Sequence, residues 1–129
     1  MPACYWLKYE NQIERFLTEW DNFIPLVAFD FHDTIFDTNS KGYDFSEIIA
    51  TLKQAQKAGC NLKFYLPADE SEHTMAIGYL KGVGLTPDFV SVGDPSGYSL
   101  FISNRAGLYT SIRILRDAIR LKKTRRKPL

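Results

Sequence analysis

The sequence predicts an α/β fold built on a parallel sheet, and two observations predict it. The run Pro25-Leu26-Val27-Ala28-Phe29 is apolar throughout and breaks off into Asp30-Phe31-His32-Asp33-Thr34. That is the pattern of a buried strand whose carboxyl end opens onto a site. After it, strand-like and helix-like segments alternate at a spacing that calls for right-handed crossovers. At 129 residues the chain is expected to be one domain, 1–129, with a single core.

Each element follows from local pattern. Tyr9 to Ile24 reads as a helix, because Ile13, Phe16, Leu17, Trp20 and Ile24 recur at helical spacing. Pro25 separates it from the first strand. Asp44-Phe45-Ser46-Glu47 has the spacing of a capping box and opens a second helix through Ile48, Ile49 and Leu52, with Gly59 as its stop. Cys60 to Leu66 reads as the second strand. A third helix begins near Pro67-Ala68-Asp69-Glu70-Ser71, with Met75, Tyr79 and Leu80 on its apolar face and Gly82 and Gly84 at its end. Asp88 to Val92 reads as the third strand. The last stretch admits two patterns, and we expect a short strand over Tyr109 to Ile114, then a basic helix and tail over 115–129.

Composition narrows the function classes. No apolar run approaches the length of a membrane span, and the first residues lack the basic start and apolar core of a signal peptide. Cys4 and Cys60 have neither metal nor redox spacing, so reduced thiols in a cytoplasm are expected, with a bridge between them the less favoured alternative. Residues 1–112 carry 8 Lys and Arg against 14 Asp and Glu; residues 113–129 carry 8 against 1. A basic stripe, Arg113, Arg116, Arg120 and Lys123, therefore ends an acidic body. Such a stripe suits nucleic acid or an acidic protein, although many charge runs are simply solvated surface.

The segment from Pro25 to Thr38 resembles motif I of the haloacid dehalogenase (HAD) superfamily, an apolar strand ending in Asp-x-Asp-x-Thr. Asp30 falls on the family's nucleophile and Thr34 on its Thr. His32 stands in place of the second Asp, with Asp33 one position later. The stretch from Val90 to Thr110 is similar to motif IV: an apolar strand, Gly93-Asp94, a short helix, Asn104-Arg105-Ala106-Gly107-Leu108 and a last strand. Its end is especially similar to the small phosphatidylglycerophosphate-phosphatase-like branch. The resemblance, over residues 25–112, implies a three-layer sheet with flanking helices and no cap domain. Residues 1–24 would be an added N-terminal helix.

The resemblance also implies a chemistry. Asp30 would attack a phosphomonoester to give an aspartyl-phosphate, and Asp30 and Asp94 with the backbone carbonyl of residue 32 would hold Mg²⁺. His32 or Asp33 would act as general acid, and Thr34, Ser71 and Lys81 would bind phosphate. The chain departs from the family in several places. Leu66-Pro67-Ala68 replaces the hydroxyl residue of motif II, and the motif III Lys has no clear holder. The second acid of motif IV falls on Tyr98 or Ser99. A different register equates Ser103-Asn104-Arg105-Ala106 with the Asp-Asp-Arg-Ala of other branches and loses both acids.

Two readings follow from the resemblance: a small, uncapped, Mg²⁺-dependent phosphohydrolase acting on a phosphorylated substrate, or a degenerate HAD fold used for binding or regulation. An uncapped site goes with a large substrate or with cover from another subunit, hence a homo-oligomer. Residue by residue, simpler roles compete: Asp30 and Asp94 as turn caps, His32 as a hydrogen-bonded structural residue, His73 as surface.

Overall fold

The computed structural model describes residues 2–92, 97–104 and 107–126; the side chains of 2–8 and 125–126 lie outside that description. It is an α/β fold with four parallel strands and flanking helices. In chain order these are α1 (Pro2–Asn22), β1 (Leu26–Phe29), α2 (Ser46–Lys57), β2 (Asn61–Tyr65), a 3-10 turn (Glu70–Glu72), α3 (His73–Val83), β3 (Phe89–Ser91), β4 (Leu100–Ile102) and α4 (Leu108–Arg126). The sheet order is β3-β2-β1-β4, with every pairing parallel. No helix among the described residues is long and apolar enough to cross a membrane.

Register decides which side chains share a face. Val27 aligns with Leu62, and Phe29 with both Phe64 and Ile102. All five are buried on one face, since side chains alternate along a strand. Buried residues of all four helices join them in one cluster, among them Leu17, Leu52, Leu80 and Leu115. The opposite face carries Ala28, Lys63, Tyr65 and Phe101, which stand outside that cluster. There the Tyr65 and Phe101 rings meet edge-on at 5.9 Å, and Lys63 Nζ lies 5.2 Å from the Tyr65 ring. Ala28 and Tyr65 are buried on that face.

Two expectations about the C-terminal third are corrected. The expected short helix before Asn104 contains a strand, β4, and the expected strand over Tyr109 to Ile114 is helix. Helix α4 starts at Leu108 because its buried face begins there: Leu108, Ile112, Leu115 and Ile119 recur at helical spacing and are all buried. An alternating strand over the same residues would bury Thr110 with Ile112 and Ile114, yet Thr110 is exposed. At the other end, Ile24 falls beyond α1 and is 62% exposed, so the helix's apolar face closes at Trp20.

Helix α4 is held to the body by its charged residues. Tyr9 Oη donates to Asp117 Oδ2 at 2.6 Å, and the Arg113 guanidinium lies 5.8 Å from the Tyr9 ring. Arg116 pairs with Glu47 of α2, Arg120 reaches Asp117 at 3.5 Å, and Lys122 Nζ donates to Asp21 Oδ1 at 2.8 Å. Partly exposed pairs of this kind contribute at most about 1 kcal/mol each. Arg113, Arg116 and Arg120 of the basic stripe thus each meet a neighbouring side chain at the surface.

Two protons in this region are held tightly. Burial pushes the Cys60 thiol up to about 12, against a small opposing effect of Lys122. Burial, then the hydrogen bond to Asp117, pushes the Tyr9 hydroxyl up to about 12. Both groups bind their protons more strongly folded than unfolded. Their contribution to stability is intact below the unfolded values of 9.0 for Cys60 and 10.0 for Tyr9, and is lost as pH climbs through about 12. Denaturant midpoints should fall over that range, and more gently in a Cys60→Ala/Tyr9→Phe variant. An unchanged slope would remove both groups from the account.

Candidate functional site

The carboxyl edge of β1 and its neighbours gathers the polar residues, as expected for an open parallel sheet. Asp30 follows β1 directly. The next residues turn sharply: the N–H groups of Thr34, Ile35 and Phe36 all donate to the Phe31 carbonyl, and Asp33 N–H donates to Phe36 O at 2.8 Å. Asp33 pays for this tightness with φ +52°, a left-handed conformation that Asp tolerates better than most residues. Phe31 and Ile35 are buried and fasten the turn to the core. They leave Thr34 beside Asp30.

Two hydroxyls take up the Asp30 carboxylate. Thr34 Oγ1 donates to Oδ1, and Ser103 Oγ donates to Oδ2 at 2.6 Å. Thr34 and Ser103 are themselves fully buried. Asn104 N–H donates to Thr34 Oγ1 at 3.1 Å, which ties the end of β4 to the turn after β1. The result is a closed node: one carboxylate, two buried hydroxyls and a backbone amide, joining two adjacent strands.

His32 faces the other way. Its Nδ1 lies 2.8 Å from Thr38 Oγ1, and its Nε2 lies 2.5 Å from Glu72 Oε2 in the 3-10 turn. The contact to Glu72 has ion-pair distance without the alignment of a good hydrogen bond, and Oε2 is otherwise buried without a partner. Both ring nitrogens of His32 therefore have partners within the protein. The Asp33 carboxylate accepts from Thr38 N–H at 3.3 Å.

The remaining expected residues do not converge on Asp30. Ser71 donates to Asp69 Oδ1 at 2.8 Å within the 3-10 turn. Lys81 lines a cleft on α3 with His73, Thr74, Ile77 and Gly78. Neither hydrogen-bonds Asp30 or Thr34. His73, expected on the surface, is half-buried with Nε2 2.8 Å from the Pro67 carbonyl. Asp94 lies outside the described residues. The strand before it, β3, is separated from β1 by β2, whereas β4 pairs with β1 directly. From the end of β4, Ser103 reaches Asp30 and Asn104 reaches Thr34.

The expected Mg²⁺ can be tested against this donor set. A Mg²⁺ site needs hard oxygen donors, usually one or two carboxylates besides substrate and water. Here Asp30 is the single carboxylate of the node, and both its oxygens accept hydroxyl hydrogens. Among the described residues no group of three or more His, Cys, Asp or Glu side chains gathers at one point. Of the two expected ligands, Asp30 stands at the node and Asp94 lies outside the described residues.

No family model, curated protein or solved structure matches this chain.

Beside the node lies a cleft of about 300 Å³, lined by Asp33, Lys41, Tyr43, Phe45, Asn104, Leu108 and Tyr109. Its rim is fixed by Asp37, whose carboxylate accepts from the N–H groups of Lys41, Gly42 and Tyr43 at 3.1, 2.7 and 3.1 Å. Glu72, Lys41 and Thr38 went unnoticed in the sequence. Each lies in a turn-rich stretch with no periodicity to assign it a direction.

Proposed function

We propose that the chain is a HAD-like domain whose catalytic centre has become a structural node, so that the protein serves as a binding or regulatory module and not as a phosphohydrolase. The resemblance of Pro25 to Thr38 to motif I, together with the strand order β3-β2-β1-β4, supports the HAD-like part of the reading. Only residues 30–45 lie between β1 and α2, too few for an inserted cap domain. The three-layer arrangement of the family belongs to the same reading.

One observation carries the loss of catalysis: Ser103 donates to Asp30 at the position where an acid would be needed. A phosphoryl-transfer nucleophile has to present a free oxygen to phosphorus, with a cation nearby to offset the charge that gathers there. Ser103 and Thr34 each hold one oxygen of Asp30, and among the described residues no second carboxylate joins the node to share a cation. The node instead satisfies every polar group it buries, which is what a structural cross-link requires.

The test is phosphate release from an aryl phosphate and a nucleotide panel, with Mg²⁺ and with chelator, for the parent and Asp30→Asn. We expect background rates in every condition and no difference between the two proteins. Metal-dependent turnover that disappears in Asp30→Asn would reinstate the phosphohydrolase acting through an aspartyl-phosphate.

A further inference from the structure

We propose that the groove between the C-terminal part of α2 and that of α4 is a docking surface for the phosphate backbone of duplex nucleic acid, read without regard to sequence. The groove, about 460 Å³, is lined by Gln54 and Lys57 of α2 with Ala58 just after it, and by Ile119, Lys122 and Lys123 of α4. Each trio has i, i+3, i+4 spacing, so each occupies one face of its helix, and the two faces meet. Three of the six lining residues are lysines and none is acidic.

The lysines are not equivalent. Lys122 is 13% exposed, held by Asp21 and with its Nζ 5.5 Å from the Trp20 ring, so it forms the floor. Lys57 and Lys123 are exposed on the two walls, and neither makes an ion pair among the described residues. Arg113, Arg116 and Arg120 differ in that each is engaged by Tyr9, Glu47 or Asp117. The stripe that the sequence presents as continuous is therefore split. Its arginines each meet a neighbouring side chain, whereas Lys57 and Lys123 line the groove without an ion pair among the described residues, and the sequence after them runs on into Arg125, Arg126 and Lys127.

Chemistry selects among polyanions. Ammonium groups suit phosphate oxygens as point charges and carry no base readout. The lining has no aromatic residue on which an unpaired base could stack, which disfavours single strands. The acidic balance of residues 1–112 would repel phosphates elsewhere, leaving this end to make the contact. The inference stands apart from the reading of the Asp30 node and survives whether or not that centre is catalytic.

The experiment is a fluorescence-anisotropy titration of the full chain against a short labelled duplex DNA over a range of NaCl concentrations. Contact by the two exposed lysines, Lys57 and Lys123, gives a log–log salt slope of about −2, steeper if the following basic residues join in. Lys57→Glu with Lys123→Glu should weaken binding roughly tenfold or more, whereas Arg113→Gln with Arg116→Gln should stay within about twofold. Both lysines are exposed, and circular dichroism of the variants checks that the fold is kept. Lys57→Gln with Lys123→Gln, which only neutralises, should give a smaller loss in the same direction. Four results would overturn the proposal: no binding at low salt, tighter binding to a single strand than to the duplex, arginine variants as weak as the lysine variants, or binding to polyglutamate in preference to DNA.

Discussion

Replacing Asp30 by Ala is expected to lower the unfolding free energy by about 2–4 kcal/mol, because hydrogen bonds to a charged group contribute roughly 1.5–3 kcal/mol each and their partners would be orphaned. Thr34 and Ser103 are fully buried, so water cannot replace the lost acceptor at either hydroxyl. The partial exposure of Asp30 itself keeps the figure below the sum of two full bonds. Asp30→Asn should cost less, about 1 kcal/mol, since the amide keeps an acceptor for one hydroxyl and offers the other a donor. Chemical denaturation of the three proteins measures this. A carboxylate kept for chemistry behaves oppositely, because its replacement is often neutral or stabilising. An Asp30→Ala protein as stable as its parent would therefore sink the structural node and reopen the catalytic question.

The second large effect is expected at Phe31. Its ring stacks on Phe36 at 4.8 Å and meets Tyr79 and Phe64 edge-on at 5.8 and 6.3 Å, with 1% of its surface exposed. Its carbonyl accepts the three N–H groups that shape the turn. Phe31→Ala should cost about 3–5 kcal/mol through lost burial and the cavity left behind. That is a large fraction of the roughly 5–15 kcal/mol available to a domain, so the variant could fail to accumulate. Phe31→Leu, expected to lose about 1–2 kcal/mol, keeps the test workable. In that variant, amide exchange at Thr34, Ile35 and Phe36 should quicken more than exchange in α2. Equal acceleration everywhere would mean that Phe31 supports the core at large and not the turn.

The sequence carried a good deal of this. The apolar face of α1 through Ile13, Phe16, Leu17 and Trp20 is the face that packs, because a helix repeats its direction often enough for four residues to define it. Strand β1 was legible from its uniform apolarity and β2 from its apolar residues between Gly59 and Pro67, and Asp69 and Gly84 mark ends as residues of their type do. Asp69 accepts from Ser71 N–H, and Gly84 takes φ +80° at the end of α3. Asp30 and Thr34 were both singled out in the sequence, although the hydrogen bond between them was not.

What the sequence could not carry was whatever depends on which strand lies beside which. Strand β4 is three residues long, too short for a period, so Leu100–Ile102 gave no sign that it would sit next to β1. That adjacency brings Ser103 to Asp30 across 73 positions of chain and decides the chemistry of the site. In the same way, Arg116 and Lys122 read as free charge until α4 meets Glu47 and Asp21, residues 69 and 101 positions away. Local pattern fixes direction along an element, because it repeats within a few residues. Partnership across the sheet or between helices has no local repeat, and the tertiary structure alone decided it.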